Sequence, residues 1–285
     1  MPFCCPLCQE TTNQLGNCSQ SKCLPTKFGV LRILEPAFQH IIIPYETRFK
    51  TIRASEGISI KNTSIYERLP FIGKKEKEFL TEFIGFQQDL KIIKNLLNDK
   101  SNLRILNHGS WNGWLSNHLV KWGHQVTAIS YFMDEFDGLG AQQFYKNNWL
   151  SIQMDIEHDL SILNEKYDCI IINRGIAFLT DPLQTIQTLI GMLNESGMLI
   201  ITGVKIFQNP KIVEKIFQNH IRHFKEKYNF ELLFRPTKGF LTKKDQQEIQ
   251  KMDVSFHPYP KKRLHNLRSM LIPTKPYFCY GLYVK

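Results

Sequence analysis

Cysteines crowd the amino-terminal end of the chain, where five of the seven fall within the first 23 of 285 residues. Cys5 and Cys8 form a C-x2-C turn, and Cys18 and Cys23 form a C-x4-C pair, so four thiolates could surround one Zn2+ ion. Four protein ligands leave no open coordination position, which predicts a structural metal rather than a catalytic one. Two alternatives stay open: Cys4 replaces Cys5, or the thiols are ordinary reduced cysteines.

A second stretch with chemical potential is ILNHGSWNGW, residues 105 to 114. An apolar strand runs into a turn with two glycines, Gly109 and Gly113, and then into a helix, an arrangement that lets the backbone approach a bound cofactor. Trp111 stands in the middle of this turn. If its φ angle were positive, a bulky residue there would cost about 1 to 3 kcal/mol. The indole of Trp111 would then either fill the space that a cofactor needs or cover the bound cofactor.

The elements that would position this loop alternate between strand and helix. From Leu103 onward, short apolar runs with β-branched residues are followed by helical patterns, which predicts a doubly wound parallel sheet with helices on both faces. Residues 28 to 68 instead show short β-prone runs broken by proline. The predicted strands are 103–107, 125–130, 149–155, 166–173, 197–203, 230–236 and 277–285. The predicted helices are 74–98, 112–123, 133–147, 181–197 and 209–229, and in 181–197 Asp181 is the expected cap and Gly197 the expected end.

Length and composition set the broad class. A chain that is 42% hydrophobic can bury a large core. It has no long uncharged apolar run and no export signal, so we expect a soluble cytoplasmic protein that does not engage a membrane. We predict a zinc-binding segment over 1–30, a linker and helical region over 31–100, and a main domain over 101–285 with a basic insertion at 238–275.

The net charge of +10 is unevenly distributed. Residues 206 to 285 hold 16 Lys and Arg against 6 Asp and Glu. Such a bias could favour nucleic acid or another acidic partner through a long-range field, although a solvated basic surface with no partner is the more frequent explanation. No nucleic-acid motif accompanies the charges.

Taken together, residues 101 to 285 resemble the class I S-adenosylmethionine-dependent methyltransferases. That family has D-L-G-C-G-T-G after its first strand, followed by W-L-S, and residues 107 to 116 align with this pattern. GHQVTAIS resembles the family's second strand, Met154-Asp155 matches the acid after the third, and residues 167 to 203 match its fourth and fifth strands. The amino-terminal C-x2-C also resembles the zinc leader of some methyltransferases that act on ribosomal RNA or sugars.

The resemblance implies a seven-stranded, mostly parallel Rossmann-like sheet that ends in an antiparallel hairpin formed by 230–236 and 277–285. It further implies that S-adenosylmethionine is the cofactor and that the acceptor site lies near Arg174, after the fourth strand. The cofactor-binding residues that the resemblance implies are Asn107, Gly109, Ser110, Gly113, Ser130, Asp155 and Asn173.

Three departures from the family pattern bear on activity. Asn107 replaces an acid, Trp111 replaces the central glycine, and Ser130 stands where an acid normally binds the ribose hydroxyls. We therefore keep three functional alternatives. The chain is a methyltransferase that uses S-adenosylmethionine on a small-molecule or glycan-like acceptor, a methyltransferase-like binding or scaffold protein without catalysis, or a methyltransferase that acts on RNA. The sequence assigns no catalytic residue.

Overall fold

A computed structural model describes most of the chain and divides it into two compact units, Met1–Cys169 and Ile170–Lys285. The cysteines predicted to bind zinc, Cys5, Cys8, Cys18 and Cys23, lie outside the described residues. The zinc site and the domain limits drawn from the sequence stay predictions. The described residues are 26–57, 60, 62–72, 80–98, 100–269, 271–272 and 274–285.

The first unit is built on a largely parallel sheet with the order β1-β2-β5-β4-β3-β6. β2 pairs with β5, β5 with β4, and β4 with β3, all parallel, while β1 is antiparallel to β2. These pairings confirm the parallel arrangement predicted from the alternation of elements. The strands are β1 Thr26–Lys27, β2 Val30–Arg32, β3 Arg104–His108, β4 Gln125–Ser130, β5 Leu150–Gln153 and β6 Tyr167–Asn173, the last of which ends in the second unit.

Three helices accompany these strands: α1 Pro36–Ser55, α2 Leu80–Leu97 and α3 Trp114–Lys121. The apolar face predicted within residues 74 to 98 is confirmed for α2. Its buried side chains recur every three or four residues, as an amphipathic helix requires. They are Phe83, Phe86, Leu90, Ile93 and Leu97.

Helix α1 corrects the prediction of short β-prone runs over residues 28 to 68. Pro44 lies inside the helix, and a proline at that position normally argues against one. The helix forms because one of its faces is buried, and tertiary burial outweighs a weak local preference. The buried residues on that face are Phe38, Ile42, Tyr45 and Ile52.

The helix predicted over 133–147 is also wrong. Only Leu139–Phe144 is helical, as a 3-10 turn. Gly138, directly before this turn, has an extended backbone (φ −132°, ψ −167°), which a continuous helix does not allow. Asp134 Oδ1 accepts hydrogen bonds from the backbone N–H groups of Phe136 and Asp137, both at 2.8 Å. This side chain thereby stabilises a turn in place of the first helical turn.

The second unit has the strand order β6-β7-β10-β9, with β8 paired to β7. β7 and β8 are parallel, whereas β10 is antiparallel to both β7 and β9, so the chain forms a mixed α/β sheet. Asp181 caps α4 as predicted, since its Oδ1 accepts a hydrogen bond from the Gln184 N–H. The elements after β6 are α4 Pro182–Gly191, β7 Leu193–Phe207, α5 Pro210–Tyr228, β8 Leu241–Thr242, α6 Lys243–Gln250, β9 Ser255–Pro258, α7 Arg263–Ser269 and β10 Tyr277–Val284.

Two boundaries in the second unit differ from the prediction. Residues 230 to 236 do not form a strand, and β9, which lies inside the predicted basic insertion, is the partner of β10. Gly197 lies within β7 rather than closing α4, because its carbonyl accepts a hydrogen bond from Lys285 N at 2.9 Å. In both places, the strand that forms is determined by pairing with a strand distant in the sequence, and local residue preferences do not predict it.

None of the helices in the described ranges combines the length and apolar character that crossing a membrane requires. Across the same ranges, no group of three or more His, Cys, Asp or Glu side chains could hold a metal ion.

Candidate functional site

The glycine loop connects β3 to α3 at the carboxyl end of β3. Positive φ angles in this loop occur at Gly109 (71°) and Gly113 (81°), and Trp111 is not among the residues with a positive φ. The backbone strain expected at the tryptophan is therefore absent. The Ser110 N–H donates to the carbonyl of Ile129 at 2.9 Å, which ties the loop to β4.

Gly113 is required for two reasons. Its φ of 81° disfavours any side chain, and a Cβ added there would lie 2.6 Å from Cζ2 of Trp149. The glycine therefore admits an indole ring against the start of α3, and this is a packing role that the loop sequence alone does not show.

The polar side chains of the loop bond to one another. Asn107 Nδ2 donates to Ser110 Oγ at 3.1 Å and to Ser116 Oγ at 2.9 Å, and the two hydroxyl oxygens lie 3.3 Å apart. All three residues are buried. Asn107 and Ser110 were predicted to contact the cofactor, and the structure places both amide protons of Asn107 inside this local cluster.

Trp111 turns toward α2 and a neighbouring cavity. Its ring lies 6.4 Å from Phe83 and 5.8 Å from Phe86, centroid to centroid, which fixes one side of the indole by aromatic packing. The residue is half-buried. Trp111 is thus held by the protein on one side while it lines a cavity.

That cavity, which we call the Trp111 pocket, has a volume of about 160 Å3. It joins the glycine loop, the segment that follows β4, and one face of α1. Its lining consists of aromatic and charged side chains. The lining residues are Glu46, Phe49, Lys50, Arg53, Trp111, Phe132, Asp134 and Asp137.

The two cations of the pocket are each paired with a carboxylate. Lys50 Nζ lies 3.0 Å from Asp134 Oδ2 and 3.0 Å from Glu135 Oε1, and Arg53 Nε lies 3.0 Å from Asp137 Oδ2. Burial lowers the pKa of Lys50, but its bonds to these two acids together outweigh burial, so the pKa is raised above the usual value. These pairs attach α1 to the segment after β4.

Glu46 is the carboxylate of the pocket that makes no such pair with a lining cation. Its Oε1 accepts a hydrogen bond from the Met133 N–H, and its Oε2 accepts one from Gln153 Nε2 at 3.2 Å. Burial raises the pKa of Glu46, the repulsion of Asp134 adds to the rise, and backbone N–H donors and the charge of Arg32 oppose it. The net direction is upward, so burial outweighs the compensating contacts.

The predicted residues at the ends of β4 and β5 make local contacts. Ser130 Oγ accepts a hydrogen bond from the Phe132 N–H at 3.3 Å. Asp155 Oδ1 accepts from the N–H groups of Glu157 and His158, and Asp155 Oδ2 lies 3.0 Å from His158 Nδ1. Both side chains therefore stabilise the turns that leave these strands, and their proposed role in cofactor binding stays a prediction.

Asn173 belongs to the second unit. Its Nδ2 donates to Thr202 Oγ1 at 2.7 Å, while the N–H of Arg174, whose φ is 60°, donates to the Thr202 carbonyl at 2.9 Å. The buried Tyr259 hydroxyl accepts a hydrogen bond from the Gly203 N–H at 2.7 Å. The turn after β6 is thus rigidly held within its own unit.

Sequence reasoning missed Glu46 and Gln153. Gln153 was read only as part of the strand before Met154-Asp155, and Glu46 was assigned to a region of short β-prone runs. A helical reading of residues 36 to 55 would have placed Glu46, Phe49 and Arg53 on one face at a spacing of three and four. Pro44 obscured that signal.

No protein-family model matches this sequence, and no curated protein matches it either. The comparison with solved structures does find similar chains. The structures described below are named as methyltransferases or as a putative methyltransferase. The plantazolicin methyltransferase BamL, in complex with a triazolic desmethylPZN analogue and S-adenosylhomocysteine, is 15% identical over 87% of this chain and 97% of its own, with a TM-score of 0.47.

Two further structures show the same degree of likeness. Phosphoethanolamine N-methyltransferase 2 of Haemonchus contortus is 13% identical over 70% of this chain and 53% of its own, with a TM-score of 0.49. A protein of Bacillus halodurans described as a putative methyltransferase is 12% identical over 68% and 95%, with a TM-score of 0.45. Likenesses of this size carry no conclusion about what the present chain binds.

Proposed function

We propose that this protein is an S-adenosylmethionine-dependent methyltransferase that acts on a small-molecule or glycan-like acceptor. The observation that carries the proposal is the position of the Trp111 pocket. It is lined by the loop after β3 and by the segment after β4, at the carboxyl ends of adjacent parallel strands. Open parallel sheets bind their ligands outside the carboxyl ends of the strands, beside the point where the strand order reverses.

The side chains present fit part of such a cofactor. Glu46 accepts hydrogen bonds, Phe49 and Phe132 offer ring faces, and Asn112 in the glycine loop has a fully buried Nδ2 without a partner in the described structure. Buried donors in native proteins are normally bonded, so a ligand at this loop is a natural acceptor for it. The volume of about 160 Å3 is below the roughly 300 to 1,000 Å3 of ligand sites, so the pocket accommodates only part of the cofactor.

The bound cofactor would supply a methyl group on a positively charged sulfur that is open to in-line attack. The task of the protein is then to align the two reactants and exclude water. Trp111 and Phe132 suit the second part, because they face the cavity with apolar rings. The resemblance assigns Asn173 to the same cofactor, and we retain it together with Asn107, Gly109, Ser110, Gly113, Ser130 and Asp155 as proposed binding residues.

Calorimetric titration with S-adenosylhomocysteine tests the proposal. We expect saturable heat with a stoichiometry near one and a higher thermal midpoint in the presence of the ligand, because a ligand that binds only the folded state stabilises it. Absence of both heat and thermal shift at millimolar ligand would overturn the proposal.

A second function, binding or scaffolding without catalysis, is favoured by two observations. Asn107 bonds to neighbouring serines, and the Trp111 indole lines a small pocket. If the indole blocks the cofactor, the Trp111→Gly variant should bind S-adenosylhomocysteine while the unaltered protein does not. If both proteins bind alike, blockage by Trp111 is excluded.

The RNA alternative has a separate test. Lys and Arg contacts to phosphate release counterions, so RNA binding should weaken steeply between 50 and 200 mM salt. A flat response would exclude RNA as the acceptor.

Metal analysis of freshly purified protein tests the zinc prediction, with one equivalent expected. A matched variant in which Cys5 and Cys8 are replaced by serine should lose that metal, whereas Cys169→Ser, at a buried position in β6, should retain it. Well under one equivalent in the unaltered protein would contradict the prediction.

A further inference from the structure

The carboxylate of Glu46 has more hydrogen-bond acceptor positions than the protein's own donors fill. An ionised carboxylate offers about four lone-pair positions and no donor. The backbone N–H groups of Met133 and Asp134 and the Gln153 amide contact this carboxylate, while Lys50 and Arg53 pair with other acids. The remaining acceptor capacity belongs to a side chain that lines the Trp111 pocket.

The position of this carboxylate is set by an oriented amide. Arg32 Nε donates to Gln153 Oε1 at 2.9 Å, so Gln153 Nε2 must face the other way. That nitrogen donates to the Tyr131 carbonyl at 2.9 Å and to Glu46. The Gln153 amide thus has partners on both ends, and a group fixed in this way is preorganised for a ligand.

The carboxylate also lies at the carboxyl end of β4. Ser130, the last residue of β4, is in register with Gln153 on β5, and Met133 follows three residues later. Glu46 reaches this point from α1, an element outside the region that resembles a methyltransferase. A carboxylate is therefore present beside Ser130 although β4 itself ends without one.

The chemistry of the carboxylate limits the kind of ligand. A carboxylate bonds only groups that donate, which are hydroxyls or protonated amines. Lys50 and Arg53 line the same pocket, each paired with an acid, so an ammonium group next to Glu46 would still lie near two like charges. A neutral group with two adjacent hydroxyls avoids that repulsion and can bond both carboxylate oxygens.

We propose that Glu46 binds the two adjacent ribose hydroxyls of a nucleoside in the Trp111 pocket. The inference rests on the proposed function and assigns one part of its cofactor, the ribose, to one residue. The flanking rings of Phe49 and Phe132 cover apolar atoms of the same ligand, while Lys50 and Arg53 hold α1 against the segment after β4.

The test compares Glu46→Gln with a matched control, Glu35→Gln. Both variants remove one carboxylate from the same part of the chain, but Glu35 is exposed at the start of α1. The ligands are S-adenosylhomocysteine, its 2′-deoxy analogue, and adenosine, each titrated by calorimetry. Thermal unfolding of both variants in the absence of ligand establishes that they fold.

For S-adenosylhomocysteine we expect Glu46→Gln to weaken binding roughly 10- to 100-fold, the value of hydrogen bonds to a charged group, and Glu35→Gln to leave it unchanged. For the 2′-deoxy analogue the loss caused by Glu46→Gln should be clearly smaller, because this ligand keeps only one of the two hydroxyls that Glu46 bonds. Equal loss for both ligands, or no loss for either, would overturn the inference.

The ligands also separate this inference from the proposed function. Adenosine binding that depends on Glu46, without binding of S-adenosylhomocysteine, would support the ribose site and refute the methyltransferase. Binding of S-adenosylhomocysteine that does not depend on Glu46 would support the methyltransferase and refute the ribose site. If the unaltered protein binds none of the three ligands, both proposals fall.

Discussion

The polar side chains at the ends of two adjacent strands, β3 and β4, are held by different kinds of contact. At the end of β3, Asn107 bonds to Ser110 and Ser116, which lie only 3 and 9 residues away along the chain. At the end of β4, the polar group in the pocket is Glu46, whose partner Gln153 lies 107 residues away. The side chains at the end of β3 bond to near neighbours in the sequence. The carboxylate at the end of β4 is held by a residue distant in the sequence and keeps acceptor positions for a ligand.

This difference indicates that the end of β3 contributes mainly to the stability of the fold and the end of β4 mainly to ligand binding. A buried cluster whose members bond one another leaves little for a ligand, and its loss exposes unpaired polar atoms. A carboxylate with a raised pKa and spare acceptors is costly to the fold, and such costs are concentrated at functional sites. Variants at each strand end should therefore separate stability from affinity.

The largest effect is expected from Gly113→Ala in the β3 loop. Positive φ and overpacking against Trp149 each cost about 1 to 3 kcal/mol, so we expect a loss of about 2 to 6 kcal/mol of unfolding free energy in urea titrations. Gly123→Ala is the control, because its φ is 85° but a Cβ there would meet nothing within 4 Å. Equal losses for both variants would show that contact with Trp149 does not contribute.

Next in size is Asn107→Ala, which removes the donor that links Ser110 and Ser116. We expect about 1 to 3 kcal/mol lower stability because the two hydroxyls lose a buried partner. The affinity for S-adenosylhomocysteine should fall less than it does in Glu46→Gln. A larger fall in affinity would instead support the prediction that Asn107 contacts the cofactor, and would remove the contrast between the two strand ends.

Glu46→Gln should raise the thermal midpoint near neutral pH. The folded-state pKa of this acid lies above its usual value, mainly because of burial. Its contribution to stability is therefore present below the unfolded-state pKa and is lost as the pH rises through the folded-state pKa. The advantage of the variant should shrink as the pH falls toward 4, and thermal melts from pH 4 to 8 would record it. A constant difference, or a less stable variant at every pH, would show that Glu46 serves the fold.

The smallest effect is expected at the ion pairs that attach α1. Lys50 has a side chain that is 44% exposed, so Lys50→Met should cost less than about 1 kcal/mol and the cost should decrease with salt. Lys121→Met, which breaks a pair with Glu67 outside the pocket, is the matched control. If Lys50→Met costs much more than Lys121→Met, the attachment of α1 depends on this ion pair more than on its buried apolar face.

The fold of the first unit could be predicted where local patterns carry the information. The apolar spacing of α2, the glycines before α3 and the β-branched strands β3 to β5 each specify dihedral angles or periodicity within a few residues. The same reasoning explains why Asp181 could be assigned as the cap of α4. Helix α1 could not be predicted in this way because Pro44 interrupts its helical sequence pattern. The helix is stabilised by the burial of Phe38, Ile42 and Tyr45, which is a tertiary effect.

Some features of the candidate site could likewise be predicted from the sequence, and others only the tertiary structure shows. From the sequence alone it followed that a loop with Gly109 and Gly113 comes after β3 and that Trp111 stands between these two glycines. Tertiary structure decided that the indole packs against Phe83 and Phe86, and that the partner of β10 is β9 rather than residues 230 to 236.

Tertiary structure also decided that the carboxylate at the end of β4 comes from Glu46. Local patterns determine backbone geometry because each dihedral angle depends on adjacent residues. Contacts between distant segments have no periodicity to reveal them, and they appear only when the buried faces of α1 and the sheet come together.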